Sequence, residues 1–221
     1  MAKNATFQEF VQAVADKALK ASVDKAGDGE DVCAILDMQS ELEEKTLTIG
    51  EKLSIRRFEK LTGDCVASYI HGGGRIGVLV VADTAVVNDD VKEALKNIAM
   101  QIAAMNPKYI SRADVDQDYI EGEKKVLLAE AKNEKPDANE KMLEGIVNGR
   151  INKQLKEICL MDQVYVKAED GKQSVAAYLA DVSKKVGSDV KVVKFVRFET
   201  GEGLEKKNED FAAEVAAQMG M

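Results

Sequence analysis

YIHGGGRIGVLVV, residues 69–81, sets three consecutive glycines between two apolar runs. Such a loop can cradle a phosphate or reverse a β-hairpin, and the choice decides the fold around it. A phosphate cradle aims backbone N–H groups at the anion, leads into a helix N-terminus and usually carries Lys followed by Ser or Thr. Here Gly74 is followed by Arg75, Ile76, Gly77, Val78 and Leu79, a strand-forming run, and no GK[ST] occurs. Glycine supplies positive φ without steric cost, so Gly72, Gly73 and Gly74 are expected to turn a hairpin that joins strands at 64–71 and 75–82. No nucleotide is expected at this loop.

Working outward, Val91, Leu95, Ile98, Ala99, Ile102 and Ala103 form one helical stripe, stopped by Asn106 and Pro107. Each Leu or Ile buried on such a stripe contributes about 1.5–3 kcal/mol. The composition then turns charged. Tyr119 and Val126, like Ile120 and Leu127, stand seven apart, and Leu143, Val147, Ile151, Leu155 and Ile158 mark a returning helix. Between them, NEKPDANE (133–140) supplies Pro136 as breaker and Asp137 with Glu140 as a helix start signal. The spacing predicts an antiparallel coiled-coil hairpin over 115–132 and 139–157, each arm reaching about 25–30 Å. Gly145 and Gly149 share a face and are expected to let the other arm approach closely.

Residues 163–167 read as a short extended piece, 174–186 as a helix carrying Val175, Leu179 and Val182, 188–199 as a strand and 208–219 as a final amphipathic helix. Ahead of the glycine hairpin, Phe7, Phe10, Val11, Val14, Ala18 and Leu19 predict a helix over 5–22. Shorter helices at 32–38 and 42–47 and a strand at 54–61 follow a loop with Gly27 and Gly29. The class is α+β: a three-stranded antiparallel sheet covered by helices, with the long hairpin as an excursion inserted into it.

The chain has 221 residues and a formal charge of −8, which disfavours non-specific nucleic-acid binding and suits a partner with basic patches. Cys33, Cys65 and Cys159 are far apart and form no CxxC pair, the pattern of free thiols in a reducing compartment. No apolar run reaches the roughly 18 residues of a membrane span, and MAKNATFQEF has no signal-peptide core. A cytoplasmic protein is expected. His71, the single histidine, stands at the lip of the glycine turn without partners for a metal site or a nucleophile–base pair. Neither cofactor nor reaction chemistry is indicated. What stands out is surface: a projecting hairpin, a glycine-tipped turn and an amphipathic C-terminal helix, features of a protein that binds another protein.

Five segments resemble the bacterial elongation factor Ts family. They are TIGEKLSIRRFEKLTG (48–63), SYIHGGGRIGVLV (68–80), IAMQIAAMNPKYI (98–110), NGRINKQLKEICLMDQ (148–163) and VRFETGEGLEKKNEDFAAEVAA (196–217), in the family's order and with comparable spacing. The resemblance implies two small helix-covered antiparallel-sheet subdomains with an inserted antiparallel coiled-coil hairpin and a C-terminal helix. Residues 1–63 would form the first subdomain, 64–105 with 161–199 the second, 106–160 the hairpin and 200–221 the terminal module. The family opens with a ubiquitin-associated type of helical module, a strand and a Thr-Asp-Phe-Val motif. MAKN resembles the residues just after that motif's Asp-Phe, with Met1 in the valine place, so a shortened form lacking the phenylalanine wedge is expected.

The resemblance further implies a guanine-nucleotide exchange factor for elongation factor Tu, not an enzyme, holding no nucleotide or metal itself and promoting GDP release by distorting the partner's Mg²⁺ and phosphate site. Implied partner contacts are Ile49 and Gly50 at a helix-to-strand turn, His71 at the hairpin tip, and Lys96, whose family neighbour is often histidine but is Asn97 here. Val166 and Lys167 after the coiled coil, and Asp210, Phe211, Glu214 and Val215 on the last helix, complete the set. A binding scaffold with weak exchange, and a module that self-associates through the coiled-coil hairpin, stand as the alternatives.

Overall fold

The computed structural model describes residues 3–27 and 29–204. In chain order the elements are α1 (Ala5–Lys20), β1 (Lys25–Ala26), α2 (Val32–Ile35), α3 (Gln39–Ile49), β2 (Phe58–Glu59), β3 (Cys65–His71), β4 (Ile76–Asp83), α4 (Asp89–Met105), α5 (Gln117–Glu134), α6 (Glu140–Ile158), α7 (Val175–Val186) and β5 (Lys191–Glu199). Short 3₁₀ turns at Arg112–Asp114 and Leu160–Asp162 flank the α5–α6 pair. This is a mixture of helices and small antiparallel sheets, hence α+β. The helix expected over 208–219 lies outside the described residues.

Polar side chains start α1, α4, α6 and α7, while α3 follows Met38 without a side-chain cap. Asn4, Asn88, Asn139 and Ser174 each accept from the backbone N–H three residues on, at 2.9–3.1 Å, which satisfies a donor the helix cannot and stabilises by about 1 kcal/mol per cap. At the other end of α4, Asn106 takes φ 45° and Pro107 follows, so the helix cannot continue.

The larger sheet runs β3-β4-β5. Its hairpin register pairs Cys65 with Ala82 and His71 with Ile76, while β4 pairs with β5 from Ile76–Glu199 to Asp83–Lys191 through a bulge beside Val81 and Ala82. Alternate residues Val78, Val80 and Ala82 are buried against Val91, Leu95, Ile98 and Ile102 of α4, Val175 and Leu179 of α7, and Leu160. The opposite face of β4 and β5 meets the stretch before β3. Gly63 lies against Val81, Arg57 stacks over Phe198 at 4.2 Å, and Lys194 pairs with Glu59 at 2.8 Å. Glu202 adds a 2.8 Å ion pair to Arg57, and its carbonyl accepts from Arg56 at 2.7 Å.

Two further apolar clusters are distinct from this one. Phe10, Ala18, Ala26, Val32, Leu36, Met38 and Phe58 gather around the two-residue β1–β2 ladder. Ala131, Leu143, Val147, Ile151, Leu155 and Cys159 line the contact between α5 and α6 together with Val115. Gln154 bonds Tyr119 and Glu123 near the start of α5, while Arg150 pairs with Glu130 and Glu134 near its end, so the two helices run in opposite directions. Their root is stitched by the Ile158 carbonyl, which accepts from Lys108 and Tyr109, and by Arg112, which reaches Asp162 at 2.8 Å and Asn152 at 2.9 Å.

Several expectations need correction. The strand at 54–61 shrinks to Phe58–Glu59, because its partner is only Lys25–Ala26 before Gly27 turns away, its N–H held by Glu30. Helix α6 is capped by Asn139, where the expected range begins, and not by Asp137 of the start signal. A Cβ at Gly145 or Gly149 would meet open space, so these glycines face away from α5 and permit no close approach. Val126 is 55% exposed, and Leu127 and Leu128 carry the contact instead. The short extended piece expected over 163–167 is extended at its start, where Gln163 has φ −64° and ψ 147° and Val164 bridges Ser174, and turns at Val166 and Lys167. Val11 and Leu19 of the α1 stripe are exposed, since packing reaches one side of that helix.

Candidate functional site

The glycine loop is a turn. Gly72, Gly73 and Gly74 take φ of 60°, 67° and 97°, a left-handed run that side-chain-bearing residues rarely adopt. The His71 carbonyl closes it by accepting from Gly74 at 3.3 Å and Arg75 at 3.0 Å. The Arg75 carbonyl in turn accepts from the Thr200 backbone at 2.9 Å and its hydroxyl at 3.0 Å, which ties the end of β5 to the tip. His71 is exposed, with its Nδ1 3.0 Å from the Tyr69 hydroxyl. One neighbour therefore orients the imidazole while the rest of the ring faces outward.

Ile49 and Gly50 close α3. Gly50 has φ 75° and donates to the Thr46 carbonyl at 2.9 Å, so the helix ends in a left-handed cap. Ile49 is half-buried and its neighbour Leu47 is 84% exposed. An irregular stretch, rather than a strand, follows directly.

Lys96 lies on the exposed side of α4. Its neighbour Asn97 points to the turn after α6, where Lys167 Nζ donates to Asn97 Oδ1 at 2.8 Å. The bond ties Lys167 to Asn97, the residue next to Lys96, whereas Ile49–Gly50 and His71 sit on other elements. Asp210, Phe211, Glu214 and Val215 lie outside the described residues.

Sequence reasoning passed over Gln101 and Gln163, among the few buried polar residues described, at 0% and 2% exposed. Gln101 accepts from the Val166 N–H at 2.7 Å and donates to Gln163 and to the Val164 carbonyl. The signal was available: a glutamine inside the apolar IAMQIAAM run must be buried, and buried amides need partners. Behind the same turn, Tyr165 stacks on Tyr178 with ring centroids 4.1 Å apart. Burial first, and then hydrogen bonding to Tyr178, pushes the Tyr165 phenol well above its usual range. The stacked pair packs against the cluster beneath the sheet.

The chemistry available is that of a surface. Among the described residues, no three His, Cys, Asp or Glu side chains come together to hold a metal ion. The three cysteines are free, and burial raises the Cys33 and Cys159 thiols, which disfavours a thiolate at either. A shallow cleft of about 300 Å³ between α4 and α7 is lined by Asp90, Glu93, Asn97, Tyr178, Asp181 and Lys185. The Asp90–Lys185 ion pair at 2.8 Å spans it. No described helix is long and apolar enough to cross a membrane.

Comparison with known proteins bears on what such a surface is for. A family profile described as Elongation factor TS matches residues 1–202. Elongation factor Ts of Clostridioides difficile (strain 630) is 48% identical over 228 residues, covering 99% of this chain and 72% of that protein. The protein of the same name from Clostridium perfringens (strain 13 / Type A) is 44% identical over 225 residues, covering 100% and 73%. That from Clostridium botulinum (strain Eklund 17B / Type B) is 49% identical over 175 residues, covering 78% and 56%.

Proposed function

Because the chain belongs to the elongation factor Ts family of translation elongation factors, we propose that it acts as a guanine-nucleotide exchange factor on elongation factor Tu. The observation that supports this reading best is the outward display of His71 on a hairpin whose tip is fixed by three left-handed glycines and by Thr200. A rigid projection spends little ordering entropy on docking, and it suits a protein that works on its partner's site from outside.

No covalent step is needed. The exchange factor must bind the nucleotide-free GTPase more tightly than the loaded one, and by linkage GDP then weakens its grip by the same factor. A 10⁴-fold difference corresponds to about 5.5 kcal/mol of differential contact. His71, the α3 cap at Ile49 and Gly50, Lys96, and the Val166–Lys167 turn would share that contact, distorting the Mg²⁺ and phosphate site of the partner.

The test is release of fluorescent GDP from loaded elongation factor Tu, run beside a pull-down. Release with binding supports exchange. Binding with little release marks a scaffold, and the absence of both rejects the assignment. His71→Ala is expected to weaken the complex by about 1 kcal/mol, in the range of a single contact residue outside a hot spot. Its thermal midpoint stays unchanged, because the ring is exposed; an unaltered dissociation constant would remove His71 from the interface.

A further inference from the structure

Helix α4 carries two amide side chains one turn apart, Asn97 and Gln101, and both reach the loop 163–167. Asn97 Oδ1 accepts from Lys167 Nζ at 2.8 Å, while its Nδ2 donates to the Tyr178 hydroxyl at 3.0 Å. Gln101 Oε1 accepts from the Val166 N–H at 2.7 Å, and its Nε2 donates to the Val164 carbonyl at 3.0 Å and to Gln163 Oε1 at 3.1 Å. Gln163 completes the chain by donating to the Glu157 carbonyl at 2.7 Å, at the end of α6.

These bonds are mutually dependent. An amide side chain offers two donors and one acceptor oxygen, and Gln101 is fully buried with all three functions in use. Withdrawing the loop would leave the glutamine and two backbone groups unpaired, a cost that buried polar groups do not tolerate. The loop is held from behind while its side chains are displayed: Val164 and Val166 are 49% and 46% exposed, and Lys167 is exposed as well. A loop fixed in this way has less conformational freedom to lose when a partner docks.

We infer that Asn97 and Gln101 are positioning residues for the partner contact made by Val166 and Lys167. Gln101 sets the backbone of the loop and Asn97 sets the direction of the Lys167 side chain. The inference rests on the exchange-factor reading and deepens it, since these residues act through the loop rather than by touching the GTPase.

A double-mutant cycle tests it, with the dissociation constant for nucleotide-free elongation factor Tu as readout. Asn97→Ala is expected to weaken binding about three- to tenfold, the scale of one ordinary solvent-exposed hydrogen bond. Asn97→Asp, which keeps the acceptor, restores it to within about twofold, and Asn97→Ala costs nothing further in a Lys167→Ala background. In Gln101→Leu, amide hydrogen exchange at Val166 accelerates about tenfold or more relative to Ile98, as loss of its acceptor requires. Additive losses from Asn97→Ala and Lys167→Ala, no rescue by aspartate, or an unchanged Val166 amide would overturn the positioning role. If Lys167→Ala and Val166→Ser both bind as wild type, the loop makes no contact; that separate signature defeats the reading of the surface and the inference with it.

Discussion

Leu95→Ala is expected to lower the stability of the sheet and its helices by about 3 kcal/mol, within the range measured for buried leucines cut back to alanine. Leu95 is fully buried in the cluster that contains Val80, Ile98 and Val175. Truncation removes apolar surface from that cluster and leaves a cavity that a close-packed interior closes only in part. The alternative, collapse of α4 onto the sheet, is opposed from two sides: the Asn88 cap fixes one end of the helix, and Gln101 ties the other to the loop 163–167. Hydrogen exchange of the Val80 and Ile98 amides reads the loss directly. A change under about 1 kcal/mol would mean that α4 moves freely over the strands, contrary to this packing.

The second large effect lies on the other face. Gly63→Ala is expected to destabilise by about 2 kcal/mol, because a Cβ there would fall 2.2 Å from Val81 Cγ1. Two opposing terms decide the sign. Gly63 does not have positive φ, so alanine is conformationally acceptable, and restricting the unfolded chain would by itself stabilise by about 0.4–1 kcal/mol. Overpacking costs about 1–3 kcal/mol and outweighs it, since Val81 is branched at Cβ and only 2% exposed. Adding Val81→Ala to Gly63→Ala opens the space, and the double variant is expected to lose less than the two single losses combined, as shown by urea denaturation. Strict additivity would indicate that the residues before β3 already stand clear of the sheet.

The hairpin and α4 were legible in the sequence because their signals are periodic and carry their own punctuation. The Gly72–Gly74 run separates two apolar strands, and the α4 stripe ends at Asn106 and Pro107. The paired helices were legible from the breaker Pro136 and the stripe Leu143, Val147, Ile151 and Leu155, whereas the heptad partner of Tyr119, Val126, is exposed. What failed depends on partners distant in sequence. A two-residue ladder such as β1–β2 carries no period, and the apolar-charged mixture of 54–61 reads as a longer strand until the length of its partner is known. Gly145 and Gly149 share a face in any helix, and only the packing of α5 decides that this face is the open one. The candidate contacts came from resemblance, residue by residue. The bond joining Lys167 to Asn97 across 70 positions leaves no trace in local spacing, whereas Gln101 left one, as a polar interruption in a buried stripe.

The separation of the apolar clusters has a consequence for how the molecule comes apart. Around Phe10 and Met38, helices α1 to α3 pack on a ladder of only two residue pairs, while Leu95 sits beneath three paired strands. Denaturation is therefore expected to proceed in steps, with the first quarter of the chain loosening ahead of the rest. Limited proteolysis in mild urea would cut there first and leave a resistant remainder; simultaneous loss of both regions would indicate that the Arg57, Glu59 and Glu202 contacts weld them into one cooperative body.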